Sequence, residues 1–138
     1  MRIVKRNKVS KKKIGKVVFY NHDLEKHELD TVFCLANFGF DIEVLAPSNI
    51  PKSKNPDLLM LGTYWEMKGP SSSNEDTIRR RFRKARRQSN GKAIFDVRKV
   101  RKDREKIIKY IIELFRDTRE MRRVMIIIDD ENILDLLK

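Results

Sequence analysis

Cysteine, histidine and long apolar runs are scarce in this sequence of 138 residues. The single cysteine, Cys34, excludes an internal disulfide, and with only two histidines a zinc site built from cysteine and histidine is not expected. No apolar run approaches the roughly 18 residues that are needed to span a bilayer. The N-terminus also lacks the apolar stretch of a signal peptide. Disulfide-stabilised and membrane-spanning proteins are therefore not the expected classes.

Acidic residues are few in relation to basic ones. The chain has 32 Lys and Arg against 20 Asp and Glu, which gives a net charge of +12 and a pI of about 10.0. Such a surface attracts polyanions, nucleic acid first and anionic membrane second, although charge also serves solubility. The sequence shows neither the aromatic pair of RNA-recognition modules nor a glycine-rich phosphate loop. Nucleic acid is therefore the predicted partner, and neither of these two modules is expected to bind it.

The length of the chain predicts one domain with a single core. Its first 16 residues contain eight Lys or Arg and no acid. We therefore predict a flexible basic arm over residues 1–15 and a folded domain over residues 16–138. The arm is either a phosphate-binding tail or a disordered leader. Within the domain, a polar loop is predicted over residues 48–56.

Strands and helices alternate along the folded part. The predicted order is (β)αβββαβαβ, which is typical of an α/β domain whose mixed sheet is covered by helices. The first helix is expected to begin at Asn21 or Asp23 and to end at Gly39. A later helix is expected to begin at a capping pattern formed by Ser73 and Asp76.

The stretch PDLLMLGTYWEMKGP, residues 56–70, is predicted to be a β-hairpin with its turn at Gly62–Thr63. This turn pairs Asp57 with Lys68. Because side chains alternate between the faces of a strand, Asp57, Glu66 and Lys68 then share one face. Two carboxylates so placed can hold one divalent cation, and Mg²⁺ commonly uses such a pair together with substrate phosphate. The alternative is a cross-strand ion pair on a solvated face, which contributes about 0–1 kcal/mol.

A strongly basic helix is predicted over residues 77–88, with seven basic residues in twelve. Its apolar side chains would face inward. The predicted nucleic-acid-binding residues are those that would then be exposed: Arg79, Arg83, Arg86 and Arg87. Guanidinium groups bind phosphate through paired hydrogen bonds. Since so many like charges repel one another, a polyanionic partner is favoured over a merely solvated helix face.

The spacing Pro56-Asp57 … Glu66-Met67-Lys68 resembles the signature of the PD-(D/E)xK nuclease superfamily. The predicted element order also resembles the αβββαβ core of that superfamily. The resemblance implies a metal-dependent nuclease in which Asp57 and Glu66 ligate the metal. Mg²⁺ is the expected ion, with Mn²⁺ or Zn²⁺ as alternatives. Lys68 would position or activate the attacking water.

A more specific resemblance covers residues from about 28 to 136. Stretches such as NPDLLMLGTYWEMKGP and TIRRRFRKARRQS resemble the C-terminal tRNase domains of contact-dependent growth inhibition toxins (CdiA), and related small proteins of mobile elements. The catalytic residues that the two resemblances imply are Glu28, Asp57, Glu66, Lys68 and Gln88. Glu25, one helical turn away, could take the place of Glu28.

The same resemblance implies a function and a partner. It implies an endonuclease that acts on tRNA in the cytoplasm, whether it is secreted or delivered as part of a larger toxin. If the domain is a toxin, an acidic immunity protein should cover its basic cleft. Two alternatives stay open: a DNA endonuclease of the same fold, and a non-catalytic basic nucleic-acid-binding accessory protein of a mobile element. The latter would use the same basic helix and keep the acids as ion pairs.

Overall fold

A computed structural model describes residues 1–47 and 55–138, so most of the loop predicted over 48–56 lies outside the described residues. The strands are β1 (Arg2–Asn7), β2 (Val17–Phe19), β3 (Ile42–Val44), β4 (Leu58–Met60), β5 (Thr63–Lys68), β6 (Lys92–Asp96), β7 (Arg123–Ile127) and β8 (Asn132–Leu137). The helices are α1 (Lys26–Asn37), α2 (Glu75–Gln88) and α3 (Arg104–Asp117), with a short 3-10 helix at Lys11–Lys13. No helix in these two ranges is long and apolar enough to cross a membrane.

The eight strands form one mixed sheet in the order β1-β8-β7-β6-β5-β4-β3-β2. The pairs β2/β3, β5/β6 and β6/β7 are parallel, and the other neighbours are antiparallel. The predicted single α/β domain with a mixed sheet is confirmed. The run α1-β3-β4-β5-α2-β6 also has the predicted order αβββαβ. That this run is the core of the PD-(D/E)xK superfamily stays a prediction.

Both faces of the sheet are covered where its central strands lie. The face under α1 buries a first cluster that includes Val32, Leu35, Trp65, Ile94 and Met125. The face under α2 and α3 buries a second cluster that includes Phe82, Phe95, Ile107, Phe115 and Ile126. Because β6 and β7 are covered on both sides, their sequences are nearly continuous apolar runs rather than alternating ones.

The first helix begins later than predicted. Glu25, not Asn21 or Asp23, is its N-cap, and a capping box joins Glu25 to Glu28. The Asn21 side chain instead accepts a hydrogen bond from the Asp23 N–H at 2.9 Å, which forms a turn before the helix. The predicted stop at Gly39 is confirmed, because this residue has φ +93° and donates its N–H to the Ala36 carbonyl at 2.9 Å.

The start of α2 also differs from the prediction by one residue. Asn74, rather than Ser73, is the N-cap, and its side chain accepts a hydrogen bond from the Thr77 N–H at 3.1 Å. An amide oxygen satisfies a free N–H of the first turn as well as a hydroxyl does. The predicted inward residues Ile78, Phe82 and Ala85 are all buried.

The hairpin turns at Leu61–Gly62, one residue before the predicted turn. Both residues have positive φ, +55° and +72°, as a type I′ turn requires. Met60 therefore pairs with Thr63 and Leu58 with Trp65, so each residue lies opposite a partner two positions from the predicted one. The predicted pairing of Asp57 with Lys68 is wrong. A slip of two leaves every side chain on its predicted face, because the period of a strand is two residues.

The N-terminal residues contain a strand where a flexible arm is predicted. Strand β1 pairs antiparallel with β8 over its whole length, from Arg2↔Leu137 to Asn7↔Asn132. Arg6 reaches the buried carboxylate of Asp135 at 2.9 Å. The high charge of this segment predicts a solvated arm when the sequence is considered alone. The strand could not be predicted because the partner of Arg6, Asp135, lies near the other end of the chain. Strand β8 is likewise absent from the predicted order (β)αβββαβαβ, which ends at the strand observed as β7.

Candidate active site

The hairpin brings the three predicted charged residues to one face of the sheet. Glu66 lies beside Ala93 and Lys68 beside Phe95 in the parallel pair β5/β6. Ala93 and Phe95 belong to the cluster under α2 and α3, so Glu66 and Lys68 are on that side. Trp65 points the other way into the first cluster, where its Nε1–H donates to the Met60 carbonyl at 2.8 Å.

Backbone hydrogen bonds fix the position of Asp57, which immediately precedes β4. Its N–H donates to the Trp65 carbonyl at 3.0 Å, and its Oδ2 accepts the Met67 N–H at 2.8 Å. The carboxylate is thereby tied to the strand that carries Glu66. A carboxylate held by a main-chain donor loses little further freedom when a ligand binds to its other oxygen.

Glu66 and Lys68 form a largely buried ion pair. The Glu66 Oε1 lies 3.4 Å from the Lys68 Nζ, and the two side chains are 6% and 12% exposed. The other oxygen, Oε2, is buried and has no hydrogen-bond partner among the described residues. A buried carboxylate oxygen without a donor is unfavourable, so this atom is available for a ligand.

The pKa of Glu66 is raised from 4.5 to about 8, chiefly by burial. The nearby charge of Asp57 acts in the same direction, while Lys68 opposes the rise only in part. Two carboxylates have no donor to share when both are ionised. A hydrogen bond between them needs a proton, and a cation can take the place of that proton.

The donor set fits a divalent metal ion. Asp57 and Glu66 supply oxygen ligands of the kind that Mg²⁺ prefers, and Glu66 has an unpartnered oxygen on the face that Asp57 shares. Lys68 adds a positive charge 3.4 Å from the Glu66 carboxylate. Together the three residues form an acid–lysine constellation rather than a surface ion pair, because the Glu66 residue is only 5% exposed.

The structure gives Glu28 a definite role in the helix start. Its Oε1 accepts the Glu25 N–H at 3.0 Å in the capping box. A carboxylate oxygen of Glu25, a ring nitrogen of His27 and a carboxylate oxygen of Glu28 all lie within 4.8 Å of one another. The capping bonds and the Glu25–His27 contact at 3.3 Å account for that cluster. A catalytic role for Glu28 stays a prediction.

Gln88 ends α2 on the same side of the sheet as Glu66. Its Oε1 is buried and, like the Glu66 Oε2, has no hydrogen-bond partner in the described part of the chain. The predicted catalytic role of this glutamine is untested. Because this amide oxygen has no partner in the described ranges, a ligand that donates a hydrogen bond can bind at the end of α2.

The four predicted arginines of α2 are not equivalent. Arg79 donates to the Tyr110 hydroxyl at 2.9 Å and lies 3.4 Å from Asp76. Arg86 lies 3.8 Å from Glu120. Arg83 and Arg87 are exposed and form no ion pair within the described ranges. These two therefore have the charge most available to a phosphate.

A further basic surface was not found from the sequence. An open cleft is lined by one acid, Glu120, and by basic residues from three separate segments: Arg86, Lys92, Arg119 and Arg122. These segments are the end of α2, the start of β6 and the turn after α3. No short stretch of sequence contains them all, so only the fold brings them together.

A second buried ion pair, on the α1 side, was also not predicted. Asp96 accepts two hydrogen bonds from the Arg98 guanidinium, at 2.7 and 2.9 Å, and one from the Thr31 hydroxyl at 2.6 Å. Burial alone would raise the pKa of Asp96, but the hydrogen bonds from Arg98 and Thr31 outweigh it and lower the pKa. Arg98 also reaches Asp130 at 2.9 Å. Because every charge here has a partner, the cluster joins α1, β6 and the β7–β8 turn as a structural link.

Fold and site together define a small basic α/β domain with an acid–lysine constellation on the face of a mixed sheet. Residues 54–133 match the family model described as contact-dependent growth inhibition CdiA C-terminal domain. The match spans more than half of the chain, and the protein therefore belongs to the CdiA C-terminal domain family. This confirms the predicted resemblance to CdiA toxins at the level of the family.

The fold is similar to that of a solved relative. One chain of the "CdiA-CT/CdiI toxin and immunity complex from Burkholderia pseudomallei" superposes with a TM-score of 0.66 at 15% sequence identity. The similarity covers 90% of this chain and 100% of that one. No curated protein matches the sequence. At this identity the likeness concerns the fold.

Proposed function

We propose that this domain is a metal-dependent endonuclease that hydrolyses phosphodiester bonds in RNA, with tRNA as the foremost substrate. The observation that carries the proposal is the convergence of Asp57, Glu66 and Lys68, in which a buried carboxylate has a pKa of about 8 and an unpartnered oxygen. Membership of the CdiA family supports a toxic activity. The resemblance to tRNase domains and to the PD-(D/E)xK signature supports the choice of reaction and substrate.

Asp57 and Glu66 would hold the ion, Mg²⁺ first and Mn²⁺ or Zn²⁺ as alternatives. When bound, a divalent ion supplies Lewis acidity toward the phosphate and lowers the pKa of a coordinated water. The Met67 N–H keeps the Asp57 carboxylate oriented. Lys68 would donate to a phosphate oxygen and stabilise the charge that develops there, or orient the attacking water. Glu28 and Gln88 stay candidate catalytic residues.

The basic surface would hold the nucleic acid. Helix α2 packs against β5, the strand that carries Glu66 and Lys68. Its exposed arginines, and the basic cleft at its end, therefore lie on the same side of the sheet as the acids. A phosphate backbone bound along α2 would thus pass close to the site, which is the arrangement that a nuclease requires.

We propose that an immunity protein inhibits this domain. The solved relative is described as part of a toxin and immunity complex. With a net charge of +12 on this chain, the partner is expected to be acidic. It would act by covering the basic surface and the open face of the hairpin, and so protect a cell in whose cytoplasm the toxin acts.

The direct test is cleavage. Purified protein incubated with total tRNA is expected to cut it in the presence of Mg²⁺ or Mn²⁺ and to stop in EDTA. Glu66→Ala and Lys68→Ala are each expected to lower the rate at least about 100-fold, as loss of a group acting in the transition state does. The measurement is the initial rate of appearance of cut tRNA on a denaturing gel.

Matched variants on α3 serve as controls. Glu113→Ala and Lys106→Ala remove one exposed acid and one exposed cation from that helix, and both should retain the wild-type rate. No cleavage with any of these metals would contradict the nuclease proposal. Cleavage of plasmid but not of tRNA would favour the DNA endonuclease. Full activity in both site variants would remove Glu66 and Lys68 from the mechanism.

A separate prediction concerns α2. The double substitution Arg83→Ala and Arg87→Ala is expected to weaken binding of tRNA and to flatten its dependence on salt. Removal of one cation that neutralises a phosphate reduces the log–log salt slope by about 0.9 on a duplex and about 0.7 on a single strand. The combined change should therefore lie between about 1.4 and 1.8. Binding is measured in EDTA by fluorescence anisotropy over a series of salt concentrations.

The control for this measurement removes the same charge from another helix. Lys106→Ala combined with Lys109→Ala takes two exposed cations from α3 and is expected to change the slope by much less. An equal change in both double variants would mean that net charge, and not the α2 surface, determines binding.

A further inference from the structure

Half of one sheet face is left open in the described part of the chain. On the side of α2, that helix packs against β5 and β6. The register aligns a row of side chains across β2 to β5 on this side: Val18, Glu43, Leu59 and Tyr64. Val18 and Tyr64 at its ends are 46% and 51% exposed. Tyr64 precedes Glu66 by two residues on the same strand and thus shares its face.

A cavity of about 530 Å³ lies at this open face, between the strand ends and the end of α2. Its described lining is aromatic, apolar, amide-bearing or hydroxyl-bearing, with no charged side chain: Tyr20, Leu45, Ala46, Pro56, Tyr64, Gln88, Ser89 and Asn90. Tyr20 is held beside β3 by its N–H, which donates to the Val44 carbonyl at 2.8 Å. Tyr20 and Tyr64 are among the most exposed large hydrophobic side chains in the described part of the chain, at 58% and 51%.

We propose that this cavity binds a nucleobase of the substrate strand, next to the bond that is cut. The inference rests on the proposed nuclease function and adds to it a site for the base. A phosphate would need cations, which the described lining lacks, whereas the flat face of a base stacks on tyrosine rings. Charge and stacking are therefore divided between two neighbouring surfaces, the arginines of α2 and the tyrosine cavity.

The position of the cavity places the base close to the chemistry. Tyr64 and Glu66 are two residues apart on one strand face, so their α-carbons are separated by roughly 7 Å. A nucleotide whose base stacks on Tyr64 would therefore have its phosphate near Glu66 and Lys68. Stacking would hold the strand in register with the acids and so position the scissile phosphate.

Gln88 gives the cavity a means of selecting the base. Its buried Oε1 has no hydrogen-bond partner in the described ranges, yet its side chain lines the cavity. A base edge offers the donor that this amide lacks. Because a side-chain amide presents both a donor and an acceptor, it can pair with the hydrogen-bonding edge of one base better than with others. Gln88 is in this view a specificity residue as well as a candidate catalytic one.

The experiment uses the whole chain in EDTA, so that binding is measured without cleavage. The probe is a single-stranded RNA of about 12 nucleotides, made as a series with 2-aminopurine at each position in turn. One position is expected to change its fluorescence sharply on binding, and Tyr64→Ala and Tyr20→Ala should abolish that change. Each variant should also weaken binding about 5- to 100-fold, the usual effect of removing one stacking partner.

Three controls separate stacking from general damage. Tyr64→Phe and Tyr20→Phe keep the ring and should bind within about twofold of wild type, because stacking needs the ring face rather than the hydroxyl. Phe33→Ala removes an equally exposed aromatic, 50% exposed, from α1 and should have no effect. An abasic nucleotide at the responsive position should make wild type and Tyr64→Ala bind equally. Gln88→Leu should reduce the preference among the four bases at that position.

The outcomes distinguish this inference from the proposed function. Cleavage by wild type, together with unchanged binding by both tyrosine-to-alanine variants, would overturn the base site and leave the nuclease standing. A localised fluorescence change that the variants abolish, without any cleavage, would support the base site and overturn the nuclease. Equal losses in Tyr64→Ala and Phe33→Ala would also overturn the base site.

Discussion

Glu66→Gln is expected to make the metal-free protein more stable at alkaline pH while it abolishes cleavage. In the wild type, burial and the adjacent Asp57 raise the pKa of Glu66 from 4.5 to about 8. Above pH 8 the folded protein must hold two neighbouring carboxylates in their ionised forms. Glutamine removes one of these charges and leaves a neutral group of the same shape.

The dependence on pH follows from the direction of this shift. A carboxyl group whose pKa is higher in the folded than in the unfolded state favours folding while it is protonated. That contribution is complete below about pH 4.5 and is lost as pH rises through about 8. Each pKa unit corresponds to about 1.4 kcal/mol, so the full shift corresponds to about 5 kcal/mol at pH 9. Glutamine also loses the ion pair with Lys68, so Glu66→Gln should raise the free energy of unfolding by roughly 2–4 kcal/mol at pH 9 and by little at pH 5.

The measurement is urea unfolding in EDTA at the two pH values. With Mg²⁺ in place of EDTA, the wild type should be more stable at pH 9, because an ion that binds only the folded state shifts the equilibrium, whereas Glu66→Gln should not gain stability. Glu113→Gln, an exposed acid on α3, is the matched control and should match wild type at both pH values. A Glu66→Gln protein that is less stable than wild type at pH 9 would show that the Lys68 ion pair outweighs the repulsion.

Features of this site that are determined by residues close together in the sequence could be predicted, and those that join distant parts of the chain could not. The face that Asp57, Glu66 and Lys68 share is fixed by the two-residue period of a strand, and it survived an error in the position of the turn. The pairing itself depended on which residues take positive φ. Leu61 has a positive φ although it is not glycine, and residue propensities do not predict a positive φ at a leucine.

Features that join distant parts of the chain could not be predicted in the same way. Tyr20 and Tyr64 line one cavity only because the sheet order places β2, β3, β4 and β5 side by side. The two-residue period of a strand places Tyr64 on the face of Glu66, but no short stretch of sequence brings Tyr20 beside it. Strand β1 was missed for a related reason, since its basic residues indicate a solvated tail until the buried partner of Arg6 is known.

Asp135, the buried partner of Arg6, is expected to be important for stability: Asp135→Ala should lower the free energy of unfolding by about 3–5 kcal/mol. Asp135 lies on β8 and is completely buried. Its carboxylate accepts hydrogen bonds from Arg123 at 2.7 and 3.0 Å and from the Arg6 Nε at 2.9 Å. One acid thus neutralises cations from the strands on both of its sides.

The expected loss is large because the substitution leaves two guanidinium groups without their counter-charge. Arg123 is 21% exposed and also lies over the Trp65 ring at 5.6 Å, so it cannot move fully into water without disturbing the first cluster. Removing the acid from a buried pair costs far more than the net contribution of the pair, because the remaining charge stays desolvated. Asp135→Asn keeps the hydrogen-bond acceptor and should lose less.

Two measurements check this prediction and locate its effect. Urea unfolding gives the global loss, for which Asp117→Ala, an exposed acid at the end of α3, is the control and should change stability by less than about 0.5 kcal/mol. Amide hydrogen exchange of residues 2–7 reports the edge strand. Because Arg6 links β1 to Asp135, these amides should exchange faster in Asp135→Ala at urea concentrations well below the transition. Unchanged exchange there would mean that the backbone pairing with β8 holds β1 in place without the ion pair.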